Sequence, residues 1–180
     1  MALSATIYKF NVSLSDLDRN IYESLPITIA QHPSETPERM LARLIAYCCH
    51  FTGDIEFTKG LSTPETPDIW IKSLTDEVLT WIEVGEPSYQ KLKKATRLAK
   101  DVRVYSFNTK SNVWWAQEQK ALSGLKVSIL QLPYEPLAAF AAAISRTIGL
   151  SITISEASVY ISTETQTFEL PIRTLQSRVQ

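Results

Sequence analysis

The stretch TWIEVGEP, residues 80–87, sets Glu83 inside an apolar run made by Trp81, Ile82 and Val84. An ionised carboxylate in such a place is costly unless a cation or strong donors meet it. A second carboxylate, Asp68, follows Pro67 at the head of the run PDIWIKS. An antiparallel hairpin turning about Ser73–Asp76 would set Asp68 opposite roughly Trp81–Glu83. Two unit charges ~4 Å apart repel by about 4 kcal/mol at an effective dielectric near 20. A hard divalent cation reverses that sign, because Mg2+ and Mn2+ favour carboxylate oxygens and retained waters. Asp68 and Glu83 are therefore candidate metal ligands. The same residues also suit a structural role, with Asp68 capping its strand and Glu83 paired to a lysine of the next helix.

Charge is distributed unevenly around this pair. From Asp54 to Glu86 eight acidic residues face only Lys59 and Lys72, whereas Lys91, Lys93, Lys94, Arg97, Lys100 and Arg103 then face only Asp101. An acidic segment followed by a basic helix suits a metal with a phosphate clamp, and equally a strand and helix that neutralise each other. Other chemistries lack their parts. With five glycines the chain has no G-x-G-x-x-G, no Walker-type loop and no G-x-S-x-G. His32 and His50 have no partner at metal-ligand spacing and read as solvated side chains.

The elements that must position these groups follow from periodicity. Tyr8, Phe10, Val12 and Leu14 alternate with Lys9, Asn11 and Ser13, and Ile21, Leu25, Ile27 and Ile29 continue the alternation. This predicts a hairpin, with Pro26 on an edge strand or bulge. Thr36, Pro37 and Glu38 form a helix start, and Met40, Leu41, Leu44, Ile45, Cys48 and Phe51 give its apolar stripe. Strands are expected near 54–58, at 67–73 and at 77–84. Then come a helix at about 88–100, a strand at 102–107, a helix at about 110–121, a strand at 126–130 and a helix at about 134–147. The repeated strand–helix–strand order implies parallel neighbours. The tail SITIS, SVYIS and TFELPI reads as short antiparallel strands. The expected architecture is a single domain over residues 1–180, of α/β or α+β class, with a mixed central sheet flanked by helices.

At 180 residues and 44% apolar content the chain can bury a full core without staples. The longest apolar run, residues 137–144, is far too short to span a bilayer, and no secretory signal is expected. Cys48 and Cys49, the two cysteines, are expected as buried thiols in a reducing cytoplasm. A net charge of −1 argues against a generic nucleic-acid coat.

The segments MALSATIYKFNV, HPSETPERMLARL, FTKGL with PDIW, LTWIEVGEPSYQKLKKA and VYSFNTKSNVWW resemble the bacterial YaeQ family along nearly the full length. The order of the helix bearing Glu38, the Asp68 strand, the Glu83 strand, a basic helix and a strand also resembles the core of the PD-(D/E)XK nucleases. The resemblance implies a restriction-endonuclease-like core with extra N- and C-terminal strands. It implies Asp68 and Glu83 as ligands of Mg2+ or Mn2+, with Glu38 completing or orienting the metal shell. Where that pattern carries its lysine, two residues after the acidic residue, this chain has Gly85. Lys91 and Lys94, three apart on one helix face, are the candidate replacements, with Lys94 also a candidate substrate contact. Tyr105, Asn108 and Trp114 are candidate substrate contacts. A tryptophan stacked on a base contributes ~1–3 kcal/mol, although one of the adjacent Trp114 and Trp115 is expected in the core.

Two functional classes follow. One is a metal-dependent phosphodiesterase acting on nucleic acid. The other is a non-catalytic module on the same fold that binds nucleic acid or a protein partner. A purely structural interaction domain is the remaining alternative.

Overall fold

Strict alternation of apolar and polar side chains makes β1, Thr6–Asp16, and β2, Ile21–Gln31, antiparallel partners in register from Thr6↔Gln31 to Asp16↔Ile21. Asn20, at φ 58°, takes up the reversal between them. Phe10, Val12 and Leu14 are buried while Lys9, Asn11 and Ser13 are exposed. β2 lies at the edge of its sheet, where the missing N–H of Pro26 costs no ladder bond. The computed structural model describes residues 3–59 and 65–178 of the chain.

The described residues fall into two compact units, Met1–Cys49 with Pro133–Ile172, and His50–Leu132 with Arg173–Gln180. In the first unit, α1, Pro37–Cys49, is capped by Thr36, whose Oγ1 accepts from Arg39 N at 3.2 Å. Its apolar stripe buries Met40, Leu41, Leu44, Ile45 and Cys48, and it packs on β2 and on α4, Tyr134–Ala143. The helix expected to about residue 147 stops at Ala143, because Ile144 is already extended at φ −85° and ψ 156°. Thr147 then opens β8, Thr147–Ser155, whose β-branched Thr147, Ile148, Ile152, Thr153 and Ile154 suit a strand. β8 runs parallel to β1 and antiparallel to β9, Ser158–Ser162, which pairs with β10, Thr167–Pro171. This sheet therefore has the order β10-β9-β8-β1-β2.

The second unit holds the other sheet. β3, Ile55–Phe57, β4, Ile69–Lys72, and β5, Val78–Val84, are successive antiparallel neighbours. β5, β6, Asp101–Ser106, and β7, Val127–Gln131, are parallel, as the strand–helix–strand spacing implies. The crossovers are α2, Tyr89–Leu98, and α3, Ser111–Leu122. β11, Arg173–Gln176, completes the order β11-β7-β6-β5-β4-β3. Leu92 and Ala95 of α2 and Leu122 of α3 bury against Trp81, Val102, Val104, Val127 and Ile129. The fold is thus mixed α/β, with its strands shared between two mixed sheets. No helix of the described residues is long and apolar enough to cross a membrane.

Candidate functional site

The β4–β5 hairpin pairs Ile69 with Ile82 and Trp70 with Trp81, so Asp68 and Glu83 come opposite one another at its open end. Both are buried, at 4% and 3% exposure. Asp68 is fixed by its own backbone and side chain: its N–H donates to Ile82 O at 3.1 Å, and its Oδ2 accepts from Val84 N at 2.8 Å. Trp81, two residues before Glu83 on the same strand face, donates its Nε1–H to Glu83 Oε1 at 2.9 Å. Glu83 Oε2 meets Lys91 Nζ at 3.1 Å. Burial pushes the Glu83 carboxyl above its ordinary value and the Asp68 charge adds to the push, while Lys91 and Trp81 oppose it.

Lys91 reaches this point because of how α2 begins. Ser88 caps the helix, accepting from Lys91 N at 3.2 Å, and Leu92 and Ala95 turn the apolar stripe onto β6. Lys91 then sits in the first turn, beside the C-terminal end of β5. Gly85 has φ +119°, a conformation that L side chains rarely adopt, with no heavy atom within 4 Å of where a Cβ would stand. Backbone shape rather than space thus disfavours a side chain there, and the cation beside Glu83 comes from the next helix.

The remaining candidates are distributed as follows. Lys94, mostly exposed, pairs with Glu65 at the surface, whose carboxyl it holds below the usual value. Tyr105 is 2% exposed and its hydroxyl lies 2.7 Å from His50 Nε2. Asn108 donates to Glu86 from its backbone at 3.0 Å and from Nδ2 at 2.7 Å. Trp114 packs on the core with Trp115 and donates Nε1–H to Pro87 O at 3.2 Å. Glu38 belongs to the first unit, half-buried in the first turn of α1.

Two groupings went unread in the sequence. Trp81 as a donor to Glu83 was signalled by the i, i+2 spacing on one strand. In the first unit Glu35 is a buried carboxylate held bidentately by Arg43 (Nε–Oε2 2.8 Å, Nη2–Oε1 2.6 Å) and by Arg39 at 2.6 Å. Its signal was the pair of arginines four and eight residues further on.

Among the described residues no three or more His, Cys, Asp or Glu side chains gather as a cage for a metal. Two adjacent buried carboxylates nevertheless fit a hexacoordinate hard cation, which commonly takes one or two carboxylates and fills its other positions with water and phosphate oxygens. Burial, and next the Asp68 charge, raise the Glu83 carboxyl above its ordinary value although Lys91 and Trp81 oppose them.

The YaeQ protein family model matches residues 1–172. The chain belongs to the YaeQ family. The YaeQ protein of Escherichia coli (strain K12), itself described as uncharacterized, is 35% identical over 178 residues, which is 98% of each chain. A crystal structure of YaeQ from Pseudomonas syringae superposes with a TM-score of 0.92 at 37% identity, over 97% of both chains. YaeQ from Xanthomonas axonopodis pv. citri gives the same TM-score at 27% identity, over 97% of this chain and 99% of that one. The two-sheet architecture described above is thus the architecture of YaeQ proteins.

Proposed function

We propose that this member of the YaeQ family is a Mg2+- or Mn2+-dependent phosphodiesterase acting on nucleic acid, with Asp68 and Glu83 as the metal ligands. The observation that carries this reading is the buried Asp68–Glu83 pair with Lys91 delivered to it from α2. A divalent ion held there would polarise a phosphate oxygen and make a bound water more acidic. The chain's own contribution is positional and electrostatic. The Val84 N–H holds the Asp68 carboxylate, Trp81 holds one oxygen of Glu83, and both anchors are made before any ligand arrives. Lys91, 35% exposed on its side chain, is free to shift its ammonium toward the phosphate oxygens as charge builds on them. Lys91 would thus supply from a helix the lysine that the chain lacks at Gly85, just after β5. The test is cleavage of a panel of single- and double-stranded DNA and RNA with Mn2+ or Mg2+, comparing wild type with Glu83→Gln. Metal-dependent cleavage lost in the variant is the expected result, and equal turnover by both proteins contradicts it.

The Lys91–Glu83 ion pair also favours a second reading. An internal cation already opposes the Glu83 charge, which suits a module that binds nucleic acid or protein without cleaving it. Salt-dependent oligonucleotide binding with no product formed would select that alternative.

A further inference from the structure

At the opposite end of the same sheet, the turn between α2 and β6 and the turn between α3 and β7 enclose a cavity of about 410 Å3. Its walls include Thr96 from the end of α2, Lys100 from the first turn, Leu125 and Lys126 from the second, and Arg178 from the segment after β11. Among the described residues, three cations line it and no carboxylate does. Glu77 pairs with Lys100 at 3.2 Å, but the two side chains are 53% and 62% exposed, so the pair is weak and exchangeable. Asp101 is engaged by Arg103 at 2.8 Å and faces Arg178 only at 3.8 Å. Lys126 is exposed and pairs with no carboxylate of the described residues.

The position of Arg178 is built rather than incidental. Gln176 donates from Nε2 to Leu122 O at 2.9 Å, Leu125 O at 3.3 Å and Val127 O at 3.1 Å. Arg178 N then donates to Ser128 Oγ at 3.2 Å. These bonds fasten the C-terminal segment across the α3–β7 turn. One of them adds a second donor to Leu122 O at the end of α3, which Leu125 N–H also meets at 2.9 Å, and so offsets partial negative charge there.

We propose that this cavity binds a phosphate ester, with Lys100, Lys126 and Arg178 around the phosphate. Arg178 offers a forked donor, the two lysines add mobile charge, and the volume lies in the range of small-ligand sites. The site is separate from the carboxylate pair and does not depend on its chemistry.

The test is a calorimetric titration of the full chain with pyrophosphate at fixed ionic strength, for wild type, Lys126→Ala/Arg178→Ala and, as a control, Lys9→Ala. Both altered side chains are exposed, and a melting curve for each variant verifies the fold. The expected result is saturable binding that the double substitution weakens at least tenfold, or ~1.4 kcal/mol, while Lys9→Ala leaves it unchanged. Parallel titrations with a nucleoside monophosphate and a single-stranded oligonucleotide identify the source of the phosphate. A loss confined to the monophosphate assigns a free ester, and an equal loss for the oligonucleotide assigns a strand phosphate. No saturable pyrophosphate binding by wild type, or unchanged affinity in the double variant, overturns the proposal. Mn2+ binding at Asp68 and Glu83 is measured separately, so failure of one site is not failure of the other.

Discussion

Replacing Lys91 by Met keeps most of the side-chain stem and removes the cation beside Glu83. At the 3.1 Å separation, Coulomb attraction is about 5 kcal/mol for an effective dielectric near 20. The Lys91 side chain is 35% exposed, so water screens the pair and replaces part of what is lost; the expected destabilisation at pH 7 is about 2 kcal/mol. It should depend on pH in a defined direction. Glu83 already titrates above its ordinary value, with burial as the main cause and Asp68 next. Without Lys91 it titrates higher still. Between the unfolded and folded values the native state binds the extra proton, so stability falls as pH rises through that window. Below the unfolded value Glu83 is neutral in both states and the penalty of Lys91→Met disappears. A divalent ion should do by another route what acid does. The variant lacks the Lys91 ammonium on Glu83, and metal at a hundredfold excess over its dissociation constant adds about 2.7 kcal/mol. Urea unfolding across pH 3.5–8, with and without Mn2+, reads all three effects. A penalty that is constant with pH and untouched by Mn2+ would refute the electrostatic reasoning and leave only lost packing.

Glu83→Gln should raise stability by about 1 kcal/mol at neutral pH, since it removes a buried charge with a raised titration point and keeps an acceptor for Trp81. The gain should shrink to nothing as pH falls below the unfolded carboxylate value, as followed by thermal melts over the same pH range. Arg43→Met should cost about 3 kcal/mol in urea unfolding, because it breaks a bidentate buried pair but leaves Arg39 on Glu35.

Much of the hairpin geometry was legible in sequence. Alternation in β1 and β2, the Thr36 cap and the opposition of Asp68 to Glu83 all arise from local periodicity and turn chemistry, which neighbouring residues determine. The sheet assignments of the tail were not legible. Nothing local in Thr147–Ser155 says that β8 will run parallel to β1 some 138 residues earlier (Lys9↔Thr147), or that Arg173–Gln176 will leave the tail strands and pair with β7. Such pairings are tertiary. The same holds for the site. Two lysines three apart look equivalent on a helix, yet Lys91 meets Glu83 while Lys94 meets Glu65, because the strand ends beside the first turn of α2. Glu35 was passed over in favour of Glu38 because it precedes the helix, where helical periodicity says nothing about which way a side chain faces.

The most direct test is an anomalous-diffraction map from crystals soaked in Mn2+. The expected result is a manganese peak bonded to carboxylate oxygens of both Asp68 and Glu83, with the Lys91 ammonium moved off Glu83. An empty position there at saturating Mn2+, with Lys91 still on Glu83, would contradict the proposed metal site.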